Sequence, residues 1–465
     1  MLKLSLLCLL GVCLAGCSVL PEHRSPPPEL GIPPTWAGGA QDSAVQPWLQ
    51  DFADPVLRVL TEDAVEANHD LRAATARVRA AQADARIGGA DRLPQISASF
   101  SASRNKRNST GGFTVTSART DNFGLDGEIS WEADIWGKLY NQAHAATLDL
   151  RVSQAEYNAA RLSLAANIAR AWFNAIEARL QRDLASDTAE NFQNNLEVIE
   201  EGFRGGINSA LDVRLQRANV ATARSRLASE KARYDANVRT LEVLLGRYPS
   251  SELKTAAQLP ELARDVPAGL PSELLNRRPD LIAARLRLAA ADERVNQAQK
   301  NLLPSLRLTA SGGTSASELR DLVDLDFIVW TLASNLAAPV FQGGRLRAEV
   351  ERARARDEEL LAAYAQTALQ AFQEVETAMS AEAWLADQEA ALQIAANESK
   401  EAEVLALEQY RDGLAGIVTL LESQRRSFDS QSALIQTANQ RLQNRVDLYL
   451  ALGGDFAAPS LNAAN

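Results

Sequence analysis

The sequence predicts a mainly helical chain built from two tandem repeats, each carrying one β-hairpin between a short helix and two very long ones. Three observations predict it. Two apolar stripes with seven-residue spacing lie roughly two hundred residues apart, Gly, Pro, Tyr and Asp positions recur at constant offsets, and one segment in each copy drops to period-two alternation.

The first stripe is Val213, Val220, Leu227, Tyr234 and Leu241, and the second is Leu421, Phe428, Ile435, Leu442 and Tyr449. A seven-residue apolar spacing lays one seam along a helix, so two matched seams indicate coiled-coil helices produced by duplication. Asp70-Leu71 matches Asp280-Leu281, and Leu93-Pro94 matches Leu303-Pro304, at one offset. A second offset joins Gly137-Lys138-Leu139 to Gly344-Arg345-Leu346, Tyr157 to Tyr364, Phe203-Arg204 to Tyr410-Arg411, Gly206 to Gly413 and Leu245-Gly246 to Leu452-Gly453. The offset changes only between Pro94 and Gly137, where the alternating segment lies.

In that segment Ile96, Ala98, Phe100 and Ala102 alternate with serines, and Phe123, Leu125, Gly127, Ile129 and Trp131 alternate with hydrophilic residues. This is strand patterning, apolar on one face. Between the two runs, 104–119 is polar and reads as a loop. The second copy offers Leu306, Leu308 and Ala310, a loop around Gly312-Gly313, then Ile328, Trp330, Leu332 and Leu336, with Phe327 and Val329 on the opposite face. Strands of about nine to eleven residues match a tilted membrane strand, though a soluble sandwich shows the same alternation. Open sheet edges are not tolerated in lipid, so a membrane sheet of four strands must be shared between protomers; three copies give twelve strands.

The rest reads as helix. The stretch 138–203 has no proline, with Gly202 its one potential break, and predicts a helix of about 65 residues, roughly 100 Å long. Gly205, Gly206 and Gly413 supply the turns, after which helices run over about 209–245 and 417–452. The organisation is a first repeat over 46–250 (hairpin about 95–132, long helices about 137–246), a linker 251–270, a second repeat over 271–455 (hairpin about 305–338, long helices about 344–452) and a tail 456–465.

Residues 1–16 read as a signal peptide, with one lysine and an apolar run over 4–12 too short to span a bilayer comfortably. Leu14-Ala15-Gly16-Cys17 resembles a lipobox, predicting acylation of Cys17, and Ser18 resembles the sorting position of outer-membrane lipoproteins. A proline-rich leader, 17–45, comes next and is extended and semi-rigid. Cys8 and Cys13 leave with the signal, so the mature chain has no free thiol. Losing Lys3 takes the formal charge from −11 to −12 (−11 − 1), which gives the chain no electrostatic attraction to nucleic acid. His23, His69 and His144 are isolated, and no phosphate loop or metal-ligand spacing is present, which argues against an enzyme. With Met1 and Met379 the only methionines, there is no methionine relay for copper.

Several segments carry a resemblance to the TolC-like outer-membrane factors of tripartite efflux pumps, in their lipoprotein branch. They are Trp48-Leu49-Gln50-Asp51-Phe52-Ala53-Asp54-Pro55, Trp131-Glu132-Ala133-Asp134-Ile135-Trp136-Gly137, Leu270-Pro271-Ser272-Glu273-Leu274-Leu275-Asn276-Arg277-Arg278-Pro279-Asp280, Pro339-Val340-Phe341-Gln342-Gly343-Gly344-Arg345 and Ala451-Leu452-Gly453-Gly454. Gln342 stands where relatives commonly carry an acidic residue. The resemblance implies a homotrimer with a twelve-stranded outer-membrane β-barrel continuous with a periplasmic α-helical barrel. It further implies a periplasmic adaptor and an inner-membrane transporter as partners, outer-membrane lipid around the barrel, no cofactor beyond the lipid on Cys17, and passive exit of small molecules. By the same resemblance Asp212 and Tyr410 match a hydrogen-bonding pair at a periplasmic gate, and Thr419 and Glu422 match constriction positions that are acidic in some relatives. Ala415 replaces an arginine of some relatives. Ser209-x-x-Asp212 is also a capping-box pattern, so Asp212 has a local role open to it, and Glu422 equally reads as a solvated helix residue. A structural coiled-coil lipoprotein without conductance is the alternative reading of the whole chain.

Overall fold

The computed structural model of the chain describes residues 21–26, 28, 30–37, 48–111, 114–262, 266 and 271–454. The signal 1–16, Cys17 and the tail 456–465 lie outside the described residues.

The first copy contains α1 (Pro55–Ala67), α2 (His69–Ala90), β1 (Gln95–Gly111), β2 (Thr114–Ala133), α3 (Lys138–Arg204) and α4 (Ala210–Leu244). The second contains α5 (Pro271–Arg277), α6 (Pro279–Lys300), β3 (Ser305–Ala316), β4 (Ile328–Ala337), α7 (Arg345–Arg411) and α8 (Ile417–Ala451). The long helices match as the duplication requires: α3 and α7 have 67 residues each, α4 and α8 have 35 each. The described residues fall into two compact units, one within 1–29, 77–154 and 283–365, the other within 30–76, 155–282 and 366–465.

The first unit holds a four-stranded antiparallel sheet in the order β1-β2-β3-β4. Its register pairs apolar with apolar: Ile96 with Ile129, Phe100 with Leu125, Trp131 with Leu308, Ala310 with Leu332. The apolar face is bare in the single chain, with Ile96 and Trp330 each 77% exposed. β1 and β4 are edge strands. Residues 104–111 and 114–119 are not a loop but continue the β1–β2 ribbon, so the strands reach 17 and 20 residues. Period-two reading misses it because both faces are polar there. Cross-strand pairing replaces the hydrophobic signal, as where Arg104 grips Asp121 with Nε and Nη2 at 2.6 and 2.8 Å.

At the sheet-to-helix junction, Asp134 explains one family-like segment. Its carboxylate accepts from the amides of Leu139 (3.0 Å) and Tyr140 (2.7 Å) and so caps the first turn of α3. Trp136 donates its indole N–H to the Pro304 carbonyl at 2.7 Å, tying the first copy to the second.

The second unit has its core around Trp48, Phe52, Leu57, Trp172, Phe173, Ile176, Leu241 and Leu245. Here the Trp48-to-Pro55 segment becomes intelligible. Trp48 and Phe52 enter the core, and Asp51 accepts from Arg445 at 3.0 Å. Asp54 caps α1 through the Val56 and Leu57 amides, with Pro55 at the first helical position. Arg445 is 1% exposed and also donates to Glu382 at 2.7 Å, so the buried guanidinium has a carboxylate on two sides. Arg278 likewise binds Asp280, Glu374 and the Ala451 carbonyl. Gly453, at φ 89°, lies so close that a Cβ would be 3.1 Å from the Arg277–Arg278 backbone.

Phe428 and Leu442 of the second apolar heptad are buried, but burial departs from it by one residue at the start of α8. Leu420 rather than Leu421 is fully buried in α8, and Leu420 shares a cluster with Val213 of α4. The face that packs is broad, so Leu421 still lies partly buried against the same cluster.

Candidate functional site

The two turns that join the long helices carry the sequence-predicted gate residues. Behind them Ile199 of α3, Val213 of α4, Ala406 of α7, and Ile417 and Leu420 of α8 form one buried cluster, with Tyr410 and Leu421 packed on it. Four helix ends are therefore held together by apolar contact immediately next to the turns.

Both turns end their helix in the same way. Gly206 (φ 77°) and Gly413 (φ 74°) adopt the left-handed conformation that a Cβ disfavours. The next amide reaches back five residues, from Ile207 to the Gly202 carbonyl and from Leu414 to the Gln409 carbonyl, both at 2.8 Å. Gly205 has no positive φ, and its counterpart in the second turn is Asp412. Gly202 does not break α3. It leaves room for Asn208, whose side-chain amide would collide with a Cβ at Gly202 and donates from Nδ2 to the Ile199 carbonyl at 3.1 Å.

The two turns diverge where the next helix begins. Ser209 caps α4, and the Ser209–Asp212 capping box is complete: Asp212 N–H donates to Ser209 Oγ (3.2 Å), and Ser209 N–H donates to Asp212 Oδ2 (2.9 Å). In the second turn Ala415, Gly416 and Thr419 stand where the first has Asn208, Ser209 and Asp212. Gly416 provides no side-chain cap for α8. Sequence matching finds this asymmetry only once the offset is carried through the turn residue by residue.

The hydrogen bond expected between Tyr410 and Asp212 is not formed. The Tyr410 hydroxyl is buried and has no hydrogen-bond partner among the described residues, because Asp212 faces its own helix cap. Burial pushes the phenol pKa up, and the nearby Asp212 carboxylate adds to the rise. The phenol feels the carboxylate's charge without a hydrogen bond to it.

Glu422 is paired. Its carboxylate accepts from Arg425 Nη2 at 2.8 Å and from Arg426 Nε at 2.9 Å, and these two guanidiniums hold its pKa below the usual carboxylate range. Arg425 also donates to Asp429 at 3.2 Å. The signal for this pairing is the i, i+3 and i, i+4 spacing of the two arginines, which a search for acidic rings overlooks. Beside Glu422 runs a groove of about 670 Å³ lined by α3, α4 and α8. Arg226 lies over the Phe428 ring there, 4.1 Å from its centroid. The site brings together Asp212, Tyr410, Thr419 and Glu422 at the ends of α4, α7 and α8. The arrangement packs apolar side chains and pairs charges.

Among the described residues no helix is long and apolar enough to cross a membrane. The "Outer membrane efflux protein" family model matches residues 60–247 and 270–454. Over 459 residues the chain is 34% identical to the pyoverdine export outer membrane protein OpmQ of Pseudomonas aeruginosa, covering 96% of this chain and 95% of that one. It is 31% identical over 457 residues to the outer membrane protein OprJ of the same species, covering 96% and 95%. The solved outer-membrane channel OprN superimposes with a TM-score of 0.87 at 27% identity, covering 94% of this chain and 98% of that one. With two matched segments, relatives aligned over nearly their full length and a channel of the same fold, the chain belongs to the outer membrane efflux protein family.

Proposed function

We propose that three copies of the chain close a twelve-stranded barrel and act as the passive exit duct of a tripartite efflux system for small molecules. The observation that carries this reading is the sheet: four strands, two free edges and one bare apolar face. A lipid environment rejects unpaired edges, and three copies of four strands give twelve, within the known range of outer-membrane barrels. A periplasmic adaptor and an inner-membrane transporter supply the cargo and the energy, and the chain itself performs no chemistry. The turns around Gly206 and Gly413 form the periplasmic entrance, with Asp212, Tyr410, Thr419 and Glu422 near its narrowest point. Because Arg425 and Arg426 compensate Glu422, the constriction presents mixed charge rather than an acidic ring. Cys17 carries the lipid.

Single-channel recording of the purified protein in a planar bilayer tests the duct, alongside its mass in detergent. Discrete conductance from a trimer supports it. Silence in every condition, including after substitution of the turn residues, would leave a structural coiled-coil lipoprotein as the answer. Mass spectrometry of the mature chain tests the anchor: an unmodified Cys17 overturns it.

A further inference from the structure

The leader crosses back over the helical body at a cluster that neither the fold nor the duct requires. His23 of the leader places Nε2 2.8 Å from Asp357 Oδ2 on α7 and 3.7 Å from Asp292 Oδ1 on α6. Two residues on, Ser25 donates its amide to Asp292 Oδ1 (2.8 Å) and its hydroxyl to Asp357 Oδ2 (2.5 Å). Asn296 clamps the His23 backbone on both sides, accepting from its N–H at 2.7 Å and donating to its carbonyl at 3.1 Å. The leader is thus held in register by groups that do not belong to the cluster's charge.

Even with the two Ser25 donors, one carboxylate oxygen of the cluster is left without a hydrogen bond among the described residues. Asp357 is 3% exposed, and its Oδ1 has no hydrogen-bond partner among the described residues. An orphaned carboxylate oxygen at this depth is costly unless something positive meets it. The three donor atoms lie within 4.8 Å of one another. A tetrahedral metal with ligands at about 2.0–2.1 Å has ligand–ligand edges of about 3.3 Å. The two His23 distances, 2.8 Å to Asp357 Oδ2 and 3.7 Å to Asp292 Oδ1, fall on either side of that edge.

We propose that His23, Asp292 and Asp357 bind a divalent transition cation of the zinc type, which clasps the leader to α6 and α7. Two carboxylates cancel the charge of a divalent ion, and a neutral imidazole completes three protein ligands, leaving a fourth position for water. The donor set has no thiolate or thioether, which selects against Cu(I) and in favour of a borderline cation. Ser25 and Asn296 then act as the outer shell that orients the ligands. Asp292 and Asp357 come from two different helices, and His23 from the leader, so the ion would cross-link three segments that are far apart in sequence. The inference is independent of conductance.

The test uses the full-length protein in detergent, stripped with chelator and then dialysed against Zn²⁺ alone. One Zn²⁺ per chain is expected, with affinity falling roughly tenfold or more in His23→Ala and in Asp357→Asn. Co²⁺ in place of zinc should give the visible absorption of a tetrahedral site in the wild type and not in His23→Ala. Trypsin reads the clasp directly, because Arg24 is exposed and adjoins it: zinc should slow cleavage after Arg24 in the wild type only. His23 lies on the leader rather than on a helix, so His23→Ala remains informative if Asp357→Asn fails to fold. Wild type taking up no more zinc than His23→Ala, or zinc failing to protect Arg24, overturns the proposal and leaves the cluster a hydrogen-bonded clip.

Discussion

Asp212 accepts the Ser209 amide at 2.9 Å while the buried Tyr410 hydroxyl has no hydrogen-bond partner among the described residues. The carboxylate that charge would assign to closing the entrance is engaged in starting α4. The capping box predicts that Ser209→Ala and Asp212→Ala each cost about 1 kcal/mol at the start of α4 and that the double variant costs little more than either single one. Hydrogen exchange at amides 210–213 should read this as a protection loss of roughly fivefold. Additive losses would show that the two residues act separately.

Tyr410→Phe removes a hydroxyl that has no hydrogen-bond partner among the described residues and keeps the ring on the buried cluster of the four helix ends. The variant should melt at the same temperature as the wild type or slightly above it, since an unsatisfied buried polar group costs about 1–3 kcal/mol. Its conductance should be unchanged. A leaky or less stable Tyr410→Phe would mean that the phenol finds its partner only in the assembled molecule.

Trp172 donates its indole N–H to Asp54 Oδ2 at 2.7 Å, while Asp54 Oδ1 caps α1. Asp54→Ala removes a cap and strands a buried donor, a loss of about 2–4 kcal/mol. Asp54→Asn retains an acceptor for one of the two roles and should fall between it and the wild type in a thermal melt of the solubilised protein. Equal losses would assign the whole effect to charge.

Asp280 gives a pH dependence. Burial pushes its carboxyl pKa up, but the Arg278 fork and the Leu281 amide bring it below the usual range overall. A carboxyl depressed in the folded state contributes stability above its unfolded value and loses it as pH falls through the folded one. The stability gap between wild type and Asp280→Asn should therefore be constant above about pH 5 and shrink below about pH 4. A gap that widens in acid would reverse the sign.

Leu332 and Thr331 are neighbours on opposite faces of β4, paired with Ala310 and Ser311. Leu332→Arg on the lipid side should block insertion, at about 2–4 kcal/mol near the midplane, whereas Thr331→Arg should insert normally. Fractionation of outer membranes separates the two, and the opposite pattern would slip the register by one residue.

Much of the architecture is legible because duplication writes it twice. The helix lengths, the turns at Gly206 and Gly413 and the apolar face from Ile96 to Trp131 all come from spacing. The polar ribbon over 104–111 and 114–119 does not, since neither face of it seeks a core. Asp54 is within reach of sequence reasoning, as Asp-Pro before an apolar run is a helix-start signal. Asp134 is harder, because its cap reaches five and six residues along the chain rather than the usual two or three. His23 looks isolated because its partners lie on α6 and α7, with Asp357 334 residues away. Leu421 stands out over Leu420 because a seven-residue template tracks apolar residues, whereas burial also takes Gln424 and Ser427 on the same face.

The order of strands also sets a sequence of events in time. β1 and β2 pair through residues close along the chain, so their ribbon can form as soon as it leaves the translocation machinery. β2 must then wait for β3, since Trp131 and its partner Leu308 are 177 positions apart (308 − 131), with α3 to α6 between them. During that wait the ribbon presents Ile96, Phe100 and Leu125 on one side and an unsatisfied edge on the other. That combination is what holdase chaperones bind and what aggregates in their absence. Joining the two halves should therefore be the slow, vulnerable step in making this molecule, and a cell short of periplasmic chaperones should lose it to proteolysis before any copy meets another.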